Sequence, residues 1–400
     1  MIDRSNIGYT ALDMNKALGI NTAAFGLLSG IFYLGYIPFE VPSNIILHRF
    51  GARKWICRIM VSWGIIVAVT GLVRSVQQMY VLRILLGAAE AGLLPGVILY
   101  MTFWLTPKER ARAVAWFMAA IPISNFIGAP LATSIMRYVH WFGIDGWRWV
   151  FILEGIVAIL TGVFVLFYLT DRPGQAKWLL EDERQWLVAE KQNEHYTTTR
   201  VKLYTKLQAF LSPRVLRLGL IYFTLAGGQI GISLWLPTII KGLSQTLTNF
   251  QVGLLAMVPY FCATIAMLLW SRHSDRTGER KVHTALGPLL AIIGLLTFAL
   301  PIGLFLKMLG MTVALVGIYS FYGPFWTLPS QFLSEDSAAV GIATINSVGM
   351  FAGFAGPFMI GYLTSLTGNV NVGLYFLCGL LAVNFLLVIT MRVSRDKRPS

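Results

Sequence analysis

The chain has 400 residues, 56% of them hydrophobic and only 12% charged, with a mean hydropathy of +0.67. Soluble domains carry about twice that share of charge, so the composition excludes a soluble enzyme or binding module and describes a protein that crosses a bilayer many times. The net charge of +14 does not mark a nucleic-acid-binding face, because the basic residues sit in short loops between apolar runs.

The opening stretch, MIDRSNIGYTALDMNKALGI, is too polar and too short to span alone, and it reads as the back half of a helix whose front half is missing. No basic segment followed by an apolar core precedes it, so no cleavable signal is expected. Apolar runs follow at 22–47, 55–74, 79–104, 111–137 and 148–169, each near the ~20 residues a span needs. The segment from Asp171 to Pro213 is polar and sets Trp178, Leu179, Trp186 and Leu187 among charges. It reads as a linker holding an amphipathic helix on the membrane surface. Apolar runs resume at 215–240, 250–271, 284–305, 308–330, 338–366 and 372–391.

The expected fold is therefore an all-α membrane protein of two pseudo-symmetric bundles, with eleven full spans plus a stub. Its expected parts are an N-terminal bundle (1–170), a linker (171–213), a C-terminal bundle (214–392) and a tail (393–400). Basic residues concentrate at Arg49, Arg53 and Lys54, at Lys108, Arg110 and Arg112, in the linker, at 272–281 and in the tail, while alternate loops hold one or two each. That asymmetry places the linker and C-terminus in the cytoplasm; the acidic loop near Ser334–Asp336 is the exception.

Ionisable residues inside apolar runs are costly and point to a pathway or a buried structural pair. Arg83 and Glu90 are seven residues apart in the run at 79–104, two helical turns, so they share one face with Gly87 between them. Asp3 and Arg4 form a further charged site, which a solvated terminus would also explain. Glu40, near the cytoplasmic end of its span, reads as a structural partner of the basic loop. Gln229 follows the pair Gly227–Gly228, which suits a bend at a gate with an amide in reach of solute. Trp326 is either an aromatic wall for a ligand or a packing residue.

The halves also repeat. HRFGARK at 48–54 and DRTGERK at 275–281 share the frame X-Arg-X-Gly-X-Arg-Lys, each after the second span of its half. Arg49, Gly51, Arg53 and Lys54, with Asp275, Arg276, Gly278, Arg280 and Lys281, read as a cytoplasmic gate; ordinary positive-inside charge is the alternative.

Cys57, Cys262 and Cys378 are too far apart for a disulfide framework or a metal site and read as packing residues. The histidines at 48, 140, 195, 273 and 283 are scattered, and no HExxH, GxSxG or P-loop occurs. No enzyme activity, cofactor, metal or nucleic acid is expected.

The chain resembles the major facilitator superfamily, and more narrowly its anion:cation symporter family. The resemblance rests on DRSNIGYTAL at 3–12, GYIPFEVPSNIILHRFGARKW at 35–55, LRILLGAAEAGLLPG at 82–96, WLTPKERARA at 104–113, SLWLPTIIK at 233–241, HSDRTGERKVH at 273–283, GPFWTLPSQFL at 323–333 and GIATINSVGMFAGFAGPFMIGYL at 341–363. The FEVPSN and GPFWTLP forms lean toward tartrate, phthalate and hydroxyphenylacetate carriers. The chain departs in having His48 where the wider superfamily usually has Asp, and in starting within the family's first helix.

The resemblance implies proton coupling at Glu90 and Asp3, with the anion held by Arg4 and Arg83, whose planar guanidinium can grip a carboxylate at two points. It places Tyr36 and Asn346 toward the cavity, with Ser347 beside Asn346. The implied activity is proton- or sodium-coupled symport of a small organic anion by a monomer in a bacterial inner membrane. A carrier of neutral sugars and a receptor that binds without transporting remain alternatives.

Overall fold

The computed structural model describes residues 2–198, 212–244, 246–329 and 335–391, and the regular structure among them is helical. In lipid every backbone N–H and C=O must be satisfied within its own segment, so apolar runs of this length become helices. The first half gives α1 (Ile2–Leu18), α2 (Thr22–Phe50), α3 (Ala52–Thr70), α4 (Val76–Glu90), α5 (Leu93–Trp104), α6 (Pro107–Tyr138) and α7 (Gly146–Tyr168). The linker holds α8 (Glu181–Thr198). The second half gives α9 (Pro213–Lys241), α10 (Asn249–Thr277), α11 (Lys281–Ala299), α12 (Leu304–Ser320), α13 (Tyr322–Thr327), α14 (Glu335–Met350), α15 (Ala352–Thr367) and α16 (Val370–Ile389).

Among the described residues, ten helical segments are long and apolar enough to cross a membrane. The expected span at 55–74 is the 19-residue α3, which carries Arg53, Lys54 and Arg58 in its first turns. The calls on Ser334 and on the tail at 393–400 fall outside the described residues.

Three of the expected spans are broken helices. The run at 79–104 divides after Glu90, where Ala91 turns extended and Gly92 takes the left-handed conformation (φ 88°) that a side chain disfavours. The run at 308–330 divides at Phe321, and the run at 338–366 at Phe351. In the first two of these the second piece has its proline at the third residue, Pro95 in α5 and Pro324 in α13. A proline in the first turn removes no intrahelical hydrogen bond, so it starts a helix without strain.

By packing, the chain forms two units. One comprises Met1–Gly30, Ala120–Trp147 and Tyr204–Ser400, and the other Ile31–Ala119 and Arg148–Leu203. In the first, α9 is the central post, packed against α14, α15, α16 and α1, while α11 and α12 make the closest pair. Their backbones meet through small residues: a Cβ on Gly294 would lie 2.4 Å from the Gly310 carbonyl oxygen. In the second, α3 packs on α4 and α5, and Gly64 meets the Gly155 carbonyl in the same manner. Arg148 fastens the end of α3, its guanidinium donating to the Gly71 and Val73 carbonyls at 2.9 and 2.6 Å.

Candidate functional site

The charges in the fourth span are buried. Arg83 is 4% exposed and Glu90 2%. Both lie on the face of α4 turned to α2: the Arg83 guanidinium stands 5.5 Å from the centre of the Phe32 ring. Gly87, between them, is where the two backbones cross. A Cβ there would lie 2.1 Å from the Phe32 carbonyl oxygen and 2.8 Å from the Tyr36 nitrogen. Gly35 returns the contact, 2.1 Å from the Ile84 carbonyl oxygen. The buried Tyr36 ring lies 5.9 Å from that of Phe32. The structure thus gathers Arg83, Glu90 and Tyr36 along one seam. Glu90 is the last residue of α4, directly before the break, and Gly92 lies against the Ser43 side chain of α2.

The repeated loops form two different joints. Gly51 has φ 92° between α2 and α3, and Gly278 has φ 69° at the end of α10. In the second loop Asp275 Oδ1 pairs with Arg280 at 2.5 Å, Ser274 donates to the Glu279 carbonyl at 2.9 Å, and Glu279 accepts from the first turn of α11. The corresponding first-loop position is His48, and its carboxylate comes from elsewhere. Asp171, just beyond α7, accepts the Arg53 N–H at 2.8 Å and caps α3. Arg49, Lys54 and Arg276 are exposed and Lys281 is half-buried. His273 and His283, scattered in sequence, share a 2.7 Å hydrogen bond beside the second loop.

The other candidates belong to the first unit. Asp3 is buried in the first turn of α1 and Arg4 half-buried. Gln229 lies midway along α9, its amide donating to the Tyr319 hydroxyl at 3.3 Å and accepting from Tyr322 at 3.0 Å. Trp326 meets Tyr222 edge-on at 5.1 Å, and Tyr222 stacks on Phe325 at 5.7 Å. Tyr222 also lies over Gly349 of α14, one turn from the half-buried Asn346 and Ser347. Around Gln229 stand Tyr9, Asn125, Tyr260, Tyr319 and Tyr322, none of which the sequence singled out. Asn125 was the findable one, as an amide in an apolar run; the tyrosines do not stand out among 15 in the chain.

Bilayer-length helical segments, three of them broken, around buried ionisable groups define a polytopic membrane transporter of a small solute, not an enzyme. The chain belongs to the Major Facilitator Superfamily, which matches residues 1–357. Among curated relatives, the "Putative tartrate transporter" of Agrobacterium vitis is 43% identical over 396 residues, covering 99% of this chain and 88% of that protein. The quinolone resistance transporter of Acinetobacter baumannii is 36% identical, covering 99% and 92%. The inner membrane transport protein RhmT of Escherichia coli is 31% identical, covering 98% and 91%. Among solved structures, the partially occluded inward-open xylose transporter XylE of E. coli superposes with a TM-score of 0.78 at 16% identity, over 99% of this chain and 95% of that one. A bacterial homologue of the lysosomal transporter Spinster reaches 0.75, also at 16% identity, over 97% and 92%.

Proposed function

We propose that this transporter is a proton-coupled symporter of a small organic anion such as tartrate or a sugar acid. The observation that carries the reading is the pair of buried ionisable groups, Arg83 and Glu90, on one face of α4 within the bilayer-length segment Val76–Trp104. Burial favours the neutral form of a carboxylic acid, which is what a proton carrier requires. A guanidinium keeps its charge and binds carboxylates bidentately. The relative named for tartrate agrees with an anionic solute.

In this reading a proton enters from the outer side and neutralises Glu90, with Asp3 as a second acceptor. Arg83 or Arg4 then binds the anion. Tyr36, Gln229, Trp326, Asn346 and Ser347 are further candidate contacts for it. The bundles 1–170 and 214–392 rock to expose the site inward, while the loops at 48–54 and 275–281 latch the cytoplasmic face. Proton and anion leave together, and the cycle resets. The linker and C-terminus face the cytoplasm of a bacterial inner membrane, and one chain suffices. A neutral solute is the second reading, favoured by the uncharged polar residues around Gln229.

The test is uptake of labelled acids into proteoliposomes with and without an inward proton gradient. The unmodified protein is expected to accumulate an acid above its outside concentration only with the gradient. Glu90→Gln should lose that accumulation and keep downhill exchange. Accumulation by Glu90→Gln against a gradient would remove Glu90 from the coupling step.

A further inference from the structure

The hydroxyl cluster around Tyr319 has no part in the charge chemistry above. Tyr9 and Tyr260 are 0% exposed, Tyr319 1%, Asn125 5% and Ser233 6%. They lie on α1, α10, α12, α6 and α9, helices from both halves of the chain but all within one packed unit. The Tyr319 hydroxyl is the hub, receiving Asn125 Nδ2 at 3.4 Å and Gln229 Nε2 at 3.3 Å. The Tyr260 ring meets that of Tyr319 edge-on at 6.2 Å. Around this hub Ser233 Oγ stands with the Tyr260 and Tyr319 hydroxyls, while the Tyr9 hydroxyl and Asn125 Oδ1 are enclosed without a hydrogen-bond partner.

Buried polar groups are nearly always paired, and leaving one unpaired is destabilising. Two such groups beside a cluster of buried hydroxyls in a membrane bundle would be removed by apolar residues if sealing were their task. The same unit seals with apolar and small contacts elsewhere, Gly8 against the Leu234 backbone and Gly26 against Gly361. The set also has a definite chemistry. Tyrosine and serine hydroxyls both donate and accept, and the amide oxygen only accepts. No member is charged. A carboxylate, which only accepts, is mismatched to Asn125 Oδ1, whereas an alcohol can answer every member.

Resting on the organic-anion reading, we propose that this nest reads the hydroxyl groups of a polyhydroxy carboxylate, while the charge is held elsewhere. Parting α1 and α6 from α9, α10 and α12 would admit the substrate. Closing would give each of its hydroxyls a partner. A site built to pair with hydroxyls rejects an analogue that lacks them, because its own groups are then left unpaired.

The experiment compares uptake of tartrate, malate and succinate, with two, one and no hydroxyls, into proteoliposomes. The unmodified protein should prefer them in that order. Tyr260→Phe and Tyr9→Phe each delete one hydroxyl and keep the ring. Each should lower the tartrate-to-succinate ratio by roughly tenfold and leave succinate uptake unchanged. Ser233→Ala, the smallest change, covers the case of a Phe variant that fails to fold. Equal uptake of tartrate and succinate by the unmodified protein, or an unchanged ratio in folded variants, overturns the nest alone. Uptake of neutral sugars with none of the three acids overturns the organic-anion reading, and the nest with it.

Discussion

The seam between α2 and α4 and the nest around Tyr319 solve opposite problems. The seam is ionic and tight: Arg83 and Glu90 stand on either side of Gly87, where a single added carbon would strike the Phe32 carbonyl. The nest is neutral and spread over several helices, its groups linked by long hydrogen bonds of 3.3 and 3.4 Å or by none. A charge buried in lipid surroundings must be held by exact helix placement, because its loss of hydration is recovered only at short range. Neutral hydroxyls are less demanding and can exchange one partner for another. The difference suggests a division of labour in which one region fixes charge and the other distinguishes solutes of equal charge.

The largest effect expected follows from that tightness. Gly87→Val should force α2 and α4 apart and destabilise the protein by roughly 3 kcal/mol or more. It should be read as loss of monodisperse protein and a lowered melting temperature. Gly228→Ala is the contrast: its Cβ would meet no atom nearer than 3.6 Å, and a change of less than about 1 kcal/mol is expected. Equal tolerance of both substitutions would mean that the seam is not the rigid element described. Next in size, Arg83→Lys keeps the charge and loses the planar fork. Anion binding should weaken about tenfold, measured by equilibrium binding in detergent. Unchanged affinity would move the anion contact away from Arg83.

The seam was legible in the sequence and the nest was not. Two charges in an apolar run stand out against their surroundings, and seven-residue spacing fixes their common face whatever else the fold does. A tyrosine in such a run looks like any packing aromatic. Only the packing of α1 and α6 with α9, α10 and α12 shows that Tyr9, Asn125, Tyr260 and Tyr319 converge, and contacts between those helices join residues as far apart as Asp13 and Asn249, 236 positions. The spans were readable from hydropathy, but the breaks after Glu90, at Phe321 and at Phe351 were read as continuous helix. Backbone conformation at Ala91 and Gly92 decides the first break, and hydropathy is blind to it. The gate frame was visible as a repeat, yet Asp171, the carboxylate of the first joint, lies 118 residues from the Arg53 N–H that it accepts.

That last difference yields the smallest effects and the sharpest comparison of the two halves. Asp171 accepts a backbone N–H at the start of α3, so Asp171→Ala should lower stability by about 1 kcal/mol, the usual loss of a helix cap. Asp171→Asn keeps an acceptor oxygen and should retain most of it. Asp275 is instead 62% exposed in its pair with Arg280, a placement worth at most about 1 kcal/mol in water. Asp275→Asn should therefore melt close to the unmodified protein. If the second loop is a latch, its loss belongs to the cycle: slower uptake, by a few-fold on the order of 1 kcal/mol in the barrier, with solute affinity unchanged. Equal loss of rate and affinity in Asp275→Asn would make that loop part of the binding fold, leaving Asp171 and Asp275 as two caps of one structural kind.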